Sequence, residues 1–382
     1  MKKKLLMFAS YILVSAVSVA LTLGIVYVKG SGLSKLDQLE SLIASYYIEE
    51  SDLTALEDAA ADAMIRATGD RWSYYIPARD YAAHVETSEN AYVGIGITIT
   101  AADNGSGLQV MEVNPGSSAE EAGIRVDDVI TAIEGQDTAA MSTTEARNLV
   151  RGKEGTQVKM TICRAGETLE LLVTRRRVEV TVATGELLEG NVGLVTIANF
   201  DDRCAQEAIA AMNSLMEQGA ESILFDVRNN PGGYAHELVK LLDYLLPEGD
   251  LFRTIDYAGR ENVDRSEEGC LEIPMAVLVN KESYSAAEFF AAALQEYEAA
   301  IVVGEKTSGK GHFQSTFKLN DGSAVALSIG KYFTPKGISL EGTGIIPDVE
   351  VLVEEDIFSK IYYGQMTPQE DPQIQAAMNV LK

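Results

Sequence analysis

Hydrophobic and polar positions divide this chain into stretches of different period. Leu5 to Val28 contains no charged residue, with Lys2, Lys3 and Lys4 before it and Lys29 after it. A run of that length can cross a bilayer as a helix. It ends in Tyr27-Val28-Lys29-Gly30-Ser31 rather than in a small-x-small cleavage site, so residues 1–33 are read as an uncleaved signal anchor in preference to a cleaved signal peptide. The lysines stay inside on that reading, which places the rest of the chain on the extracytoplasmic side of a cell membrane in single-pass topology.

Over residues 34–90 the apolar positions recur at helical spacing, first Leu36, Leu39, Leu42 and Ile43, then Leu56, Ala60, Ala63 and Met64. They predict a helical pair packed on the domain that follows. Residues 91–177 switch to strand periodicity. Positions 93–99 read as one strand, 108–113 as another, 114–117 as a turn, 118–123 as a short helix and 127–133 as a turn and strand. The basic triplet Arg175-Arg-Arg177 closes this module and reads as a solvated strand exit. Residues 178–355 then alternate. Strands are predicted at 192–197, 222–226, 275–279, 300–304 and 324–329, and helices at 204–218, 235–246 and 286–297. Such alternation builds an α/β core with helices on a partly parallel sheet. Residues 356–382 form a tail with a terminal helix at 371–381. The fold class is therefore α+β multidomain: a transmembrane helix, a helical segment, a β-rich domain and an α/β core.

The chemistry concentrates in residues 274–317. After the apolar strand Met275-Ala-Val-Leu-Val279 the turn Asn280-Lys-Glu-Ser-Tyr-Ser285 leads into a helix. Ser285 thus stands at a helix N-terminus, with unpaired backbone N–H groups and the positive end of a dipole. The next strand leads into the loop Glu305-Lys-Thr-Ser-Gly-Lys-Gly311, and Lys310 and Gln314 leave it four residues apart. If this loop folds back over the helix start, an amine stands beside a hydroxyl, the core of serine/lysine catalysis. The amine serves as a base only when neutral, so its pKa must fall from about 10.4 toward roughly 7 to 8, and burial supplies that shift. Gln314 can accept a hydrogen bond from the amine without adding charge. The N–H of Ala286 is a natural oxyanion donor.

The order Ser-x-Ser-Ala-x-Glu (Ser283 to Glu288), then Gly-Glu-Lys-Thr-x-Gly-Lys-Gly-x-x-Gln (Gly304 to Gln314), with Asp226-Val-Arg-Asn-Asn-Pro-Gly-Gly233 upstream, resembles the carboxy-terminal processing proteases, the S41 family of serine peptidases. The resemblance covers roughly residues 90 to 350 and implies Ser285 as nucleophile, Lys310 as base, Gln314 as third member and Gly232 as the second oxyanion donor, with Gly233 next in line. Tyr284, Ala287 and Lys281-Glu282 depart from the family's usual residues and bear on pocket shape. Pro115-Gly-Ser-Ser-Ala119 with Ala122-Gly-Ile-Arg-Val-Asp-Asp-Val-Ile130 resembles a PDZ domain, which captures an extended C-terminus by strand addition. That resemblance implies a carboxylate loop at Tyr92, Val93, Gly94, Ile95 and Gly96, with Val93, Ile95 and Ile97 in an apolar pocket or simply in the core. Arg151 is either a basic contact to the bound tail or part of a solvated hairpin.

Composition narrows the alternatives. The formal charge of −26 over 382 residues argues against nucleic acid, since phosphate binding needs clustered Lys and Arg. His84, His236 and His312 form no zinc-binding pattern, and Cys163, Cys204 and Cys270 no short-spaced pair, so neither metal nor cofactor is expected and the cysteines read as small buried residues. His312 or His236 could serve as base in a Ser/His hydrolase, and Lys306 could replace Lys310. A catalytically silent PDZ scaffold is the alternative of a different class. Expected partners are protein substrates held through their C-termini and the membrane; a homodimer is left open.

Overall fold

The computed structural model describes residues 34–102 and 104–382. The span Leu5 to Val28 lies outside the described residues, and among the described ones no helix is long and apolar enough to cross a membrane. The chain divides into two compact units, residues 34–77 with Thr316–Leu327, and Ala78–Ser315 with Ser328–Lys382.

In the first unit, helices Lys35–Tyr46 and Leu53–Arg66 start on side-chain caps. Ser34 and Asp37 exchange hydrogen bonds of 3.2 and 2.8 Å in a capping box, and Asp52 accepts from Ala55 N. No residue of either helix is buried, which departs from the packed pair that their periodicity predicts. Strand Tyr74–Ile76 pairs antiparallel with residues 324–326.

The β-rich module of the second unit is an antiparallel sheet in the order Ile97–Ala101, Leu108–Val113, Val129–Ile133, Gln157–Arg164, Glu167–Thr174. Its apolar face closes over Ile95, Leu108, Val110, Ile130, Met160 and Val173. The single strand expected at 93–99 is in fact two, Ala91–Gly94 and Ile97–Ala101. Gly96 breaks it at φ +80, and a Cβ there would meet Ser117 Cβ at 2.5 Å. Ala91–Gly94 pairs instead with Arg176–Glu179, so the two linkers of the module form their own ribbon. Arg175 corrects the reading of a solvated triplet. It is buried, and its guanidinium donates to the carbonyls of Leu149, Val150 and Gln157, because the chain crosses the C-terminal end of helix Thr143–Val150, where carbonyls lack helical partners.

The core sheet runs Ala183–Leu188, Val192–Ile197, Ser222–Asp226, Met275–Val279, Ala300–Gly304, Val349–Glu350, parallel except for its first strand. Helices Cys204–Glu217, Ala235–Leu245 and Ala286–Glu296 pack on one face. Helix Pro372–Val380 covers the other through Ile374 and Ala377. Strands covered on both faces must be apolar throughout, and Met275–Val279 is buried at every residue. All three cysteines are free; Cys204 is buried as expected, whereas Cys270 is exposed.

Candidate active site

The parallel strands end beside one another, and their outgoing loops make the site. After Met275–Val279 the chain is held by reciprocal amide bonds. Asn280 Nδ2 donates to Asn229 Oδ1 at 2.8 Å, and Asn229 N donates to Asn280 Oδ1 at 3.0 Å. Ser283, fully buried, donates to Val227 O at 2.7 Å and accepts from Asn280 N. Its hydroxyl therefore pins the turn. Ser285 differs: its backbone has φ +57 and ψ −126 at the N-cap of helix Ala286–Glu296, a conformation a serine enters only when its surroundings hold it there.

Glu288, one turn into that helix and wholly buried, holds those surroundings together. Its Oε2 accepts from Ser285 N at 3.0 Å and Lys310 N at 2.8 Å, and its Oε1 from Thr307 Oγ1 at 2.6 Å and Gly309 N at 2.7 Å. One carboxylate thus joins the backbone of the serine to that of the lysine. Burial pushes its pKa up, and the hydrogen bonds from Thr307 and from the backbone oppose the rise. The Ser-x-Ser-Ala-x-Glu motif contains this residue, and an acid in an otherwise apolar helix start is the signal that marks it; which loop it would grip has no local signature.

Lys310 is half-buried and reaches back, its Nζ lying 5.7 Å from the ring centroid of Tyr284, the residue before Ser285. Lys306 is exposed. Gly309 takes φ +81 against residues 342–344, and a Cβ on Gly311 would meet Glu341 N at 2.7 Å, so the lysine loop is packed too closely for side chains at either position. Gln314 spends its Nε2 on His312 O and Ser328 Oγ, at 3.1 and 2.9 Å, which leaves Oε1 as its acceptor. The histidines are engaged elsewhere. His312 Nδ1 lies 2.9 Å from Glu341 Oε2, while His236 is exposed and stacked on Tyr234.

Gly232 is pressed against the serine. A Cβ there would sit 2.7 Å from Ser285 Cβ and 2.9 Å from Ala286 N. Its N–H donates to the buried Oδ1 of Asn230 at 2.8 Å, so the loop has the right place but uses this donor internally. Arg228 anchors the same loop from behind. It forks onto Asp226 and reaches Asp371 at 2.8 Å and Gln373 at 3.0 Å on the C-terminal helix, all nearly inaccessible.

In the β-rich module, a groove of about 310 Å³ lies between strand Ile97–Ala101 and helix Thr143–Val150. Tyr92, Gly94, Ile95, Gly96 and Arg151 line it; Val93 does not. Arg151 is the C-cap of that helix rather than a hairpin residue, and its guanidinium lies 4.6 Å from the Tyr92 ring centroid and 3.3 Å from Glu86. That helix was not expected from the sequence, although Ser142-Thr-Thr-Glu145, which forms a capping box, marks its start.

A sheet of this kind beside a strand-to-helix serine and a glycine-rich lysine loop defines a serine peptidase coupled to a peptide-binding module. The profile of peptidase family S41 matches residues 191–351, and that of the PDZ domain residues 109–164. A carboxyl-terminal-processing protease of Synechocystis is 32% identical over 339 residues, covering 87% of this chain and 77% of that one. The carboxy-terminal processing protease CtpA of Bacillus subtilis is 31% identical over 382 residues, covering 95% and 80%. An S41 protease structure from Bacteroides fragilis shares the fold at TM-score 0.52 and 17% identity, covering 90% of this chain and 96% of its own. The chain belongs to the S41 family of carboxy-terminal processing serine proteases and carries a PDZ domain.

Proposed function

We propose that this protease works through a Ser285–Lys310–Gln314 centre as a membrane-anchored, extracytoplasmic endopeptidase. The observation that carries the reading is the carboxylate of Glu288, which accepts from the backbone of both Ser285 and Lys310. In this mechanism, neutral Lys310 takes the Ser285 Oγ proton as the oxygen attacks the scissile carbonyl. The negative charge that develops on the carbonyl oxygen is met by the N–H of Ala286 and a second donor from the Gly232–Gly233 turn. For Gly232 to serve, its N–H must leave Asn230. Lys310 then returns the proton to the departing amine; neutral again, it deprotonates the water that attacks the acyl-enzyme and passes that proton to Ser285 Oγ as the acid product leaves. Gln314 Oε1 orients the amine.

The PDZ domain recruits the substrate tail, or gates the site when it binds one. Ile95 O accepts from Ala119 N, and Gly96 O from Asn114 N, both at 3.0 Å inside the module. In a trans peptide the following N–H points the opposite way, so the N–H groups of Gly96 and Ile97 face the groove, where an added strand and its terminal carboxylate would take them. Ile97–Ala101 is an edge strand, as that mode requires. The anchor is supported by the uncharged run from Leu5 to Val28 behind three lysines. Self-association is supported by the exposed Leu36, Leu39 and Leu42 on one helix.

The test is hydrolysis of an unstructured protein with an apolar C-terminus by the parent, Ser285→Ala and Lys310→Ala. Both variants should lose activity by about 1,000-fold or more while remaining folded. Equal cleavage by all three removes the proposed centre.

A further inference from the structure

The groove carries a charge pattern opposed to that of the chain. Among its lining residues are two cations, Arg147 and Arg151, and no Asp or Glu, in a protein of net charge −26. An acidic tail approaching such a protein is repelled everywhere except where local cations reverse the field. The two arginines are not equivalent. Arg151 is committed to Glu86 and Tyr92. Arg147, one turn earlier on the same helix face, is exposed, and among the described residues its guanidinium has no ion pair or hydrogen bond.

Geometry assigns these side chains to positions along a bound tail. The contact of Arg151 with Tyr92 puts the C-terminal end of helix Thr143–Val150 beside the carboxylate loop. Buried Val150 and Ile95 therefore wall the site of the last side chain. Along an added strand, side chains facing the helix recur every second residue, about 6.6 Å apart. Arg147 lies three residues back from Val150, about 4.5 Å along the helix axis, and the length of its side chain covers the remainder. It meets the residue two before the terminus.

We propose that the PDZ groove selects protein C-termini that end in an apolar residue and carry Asp or Glu two positions earlier, with Arg147 as the specificity-determining side chain. This rests on the reading of the groove as a tail-binding site and names the class of tail. Ion pairing at an open site gives a preference of about fivefold over the neutral isostere, and it shrinks as salt screens it.

The experiment uses the full chain with Ser285→Ala, so that peptides survive, and measures the anisotropy of labelled peptides ending Asp-Ala-Val, Asn-Ala-Val or Lys-Ala-Val. The Asp peptide should bind about fivefold tighter than the Asn peptide at low salt. Arg147→Gln should erase that difference, and Arg147→Glu should turn the preference toward the Lys peptide. Equal affinities in the parent, or an Asp preference that survives Arg147→Gln, overturn the proposal. So does failure of all three peptides to bind while the Ser285 enzyme still cleaves protein, an outcome that leaves the peptidase reading standing. An Asp preference governed by Arg147 in a chain that cleaves nothing supports the proposal and removes the peptidase reading instead.

Discussion

Glu288 is the residue on which the site's geometry turns, because two loops far apart in sequence both end on its oxygens. Replacing it by Gln exchanges one acceptor oxygen for a donor NH2, so two N–H or O–H donors lose their acceptor in a buried place, at a cost of about 1–3 kcal/mol each. Glu288→Gln should lower kcat by about 100-fold with little change in KM, since misplacing the reacting groups by an ångström has that effect. Steady-state kinetics on one peptide substrate checks the split. Gly232→Ala should act at the same scale. A Cβ at φ +89 would stand 2.7 Å from Ser285 Cβ, so activity should fall by about 100-fold or more in a protein that still folds. Asp201 gives a pH prediction. Burial first, then its neighbour Asp202, raise its carboxyl to about 7. The folded state then holds a proton that the unfolded chain has lost above its ordinary pKa of 3.8. The stability this contributes is complete below that value and is lost as pH rises through about 7. Asp201→Asn should therefore flatten the fall in melting temperature between mildly acid and alkaline buffers; an unchanged slope contradicts it.

At the scale of elements, the C-terminal helix is a wall of the core rather than an appendage. Asp371 caps it with Oδ1, accepting from Gln373 N and Ile374 N, and holds Arg228 with Oδ2. Asp371→Ala removes cap and ion pair together and leaves Arg228 with Asp226 as its one carboxylate partner, beside the neutral Gln373. Breaking a buried pair of this kind costs about 3–5 kcal/mol, measurable by urea titration, and activity should fall with it because Arg228 stands at the base of the Asn230–Gly233 loop. The core strands were legible because strands inside a covered sheet are mainly apolar, and Met275–Val279, Ala300–Gly304 and Val192–Ile197 lie where the sequence placed them. The hairpin Gly249–Asp256 with Glu261–Ser266 was not, since it carries Asp250, Arg253, Asp264 and Arg265 and shows no clear alternation. Ser285 and Lys310 were named from motif and turn chemistry. The roles of Glu288, Arg228 and Arg175 were not, because a buried charge declares its partner only once the chain has folded.

At the scale of the whole molecule, the PDZ domain joins the core of its unit through two linkers, and one residue holds both. Arg203, itself at φ +73, donates to the carbonyls of Glu89, Asn90 and Val180, while Asn90 and Asn199 exchange amide bonds of 3.0 and 2.8 Å. The segment after Asn199 then touches the oxyanion turn, since Phe200 N donates to Gly232 O and Tyr234 N to Phe200 O. If tail binding gates the site, Arg203→Ala should bring the kcat/KM ratio of tailed to tailless substrates toward one, whereas a ratio that holds confines the domain to recruitment. Both roles presuppose a single activated hydroxyl, and its activation by Lys310 is the claim to test first. A fluorophosphonate probe followed by peptide mapping does so directly. The account predicts a phosphonyl adduct on Ser285 in the parent, still on Ser285 in Ser283→Ala and lost in Lys310→Ala. A label on another serine, or labelling of Lys310→Ala at the parent's rate, would contradict it.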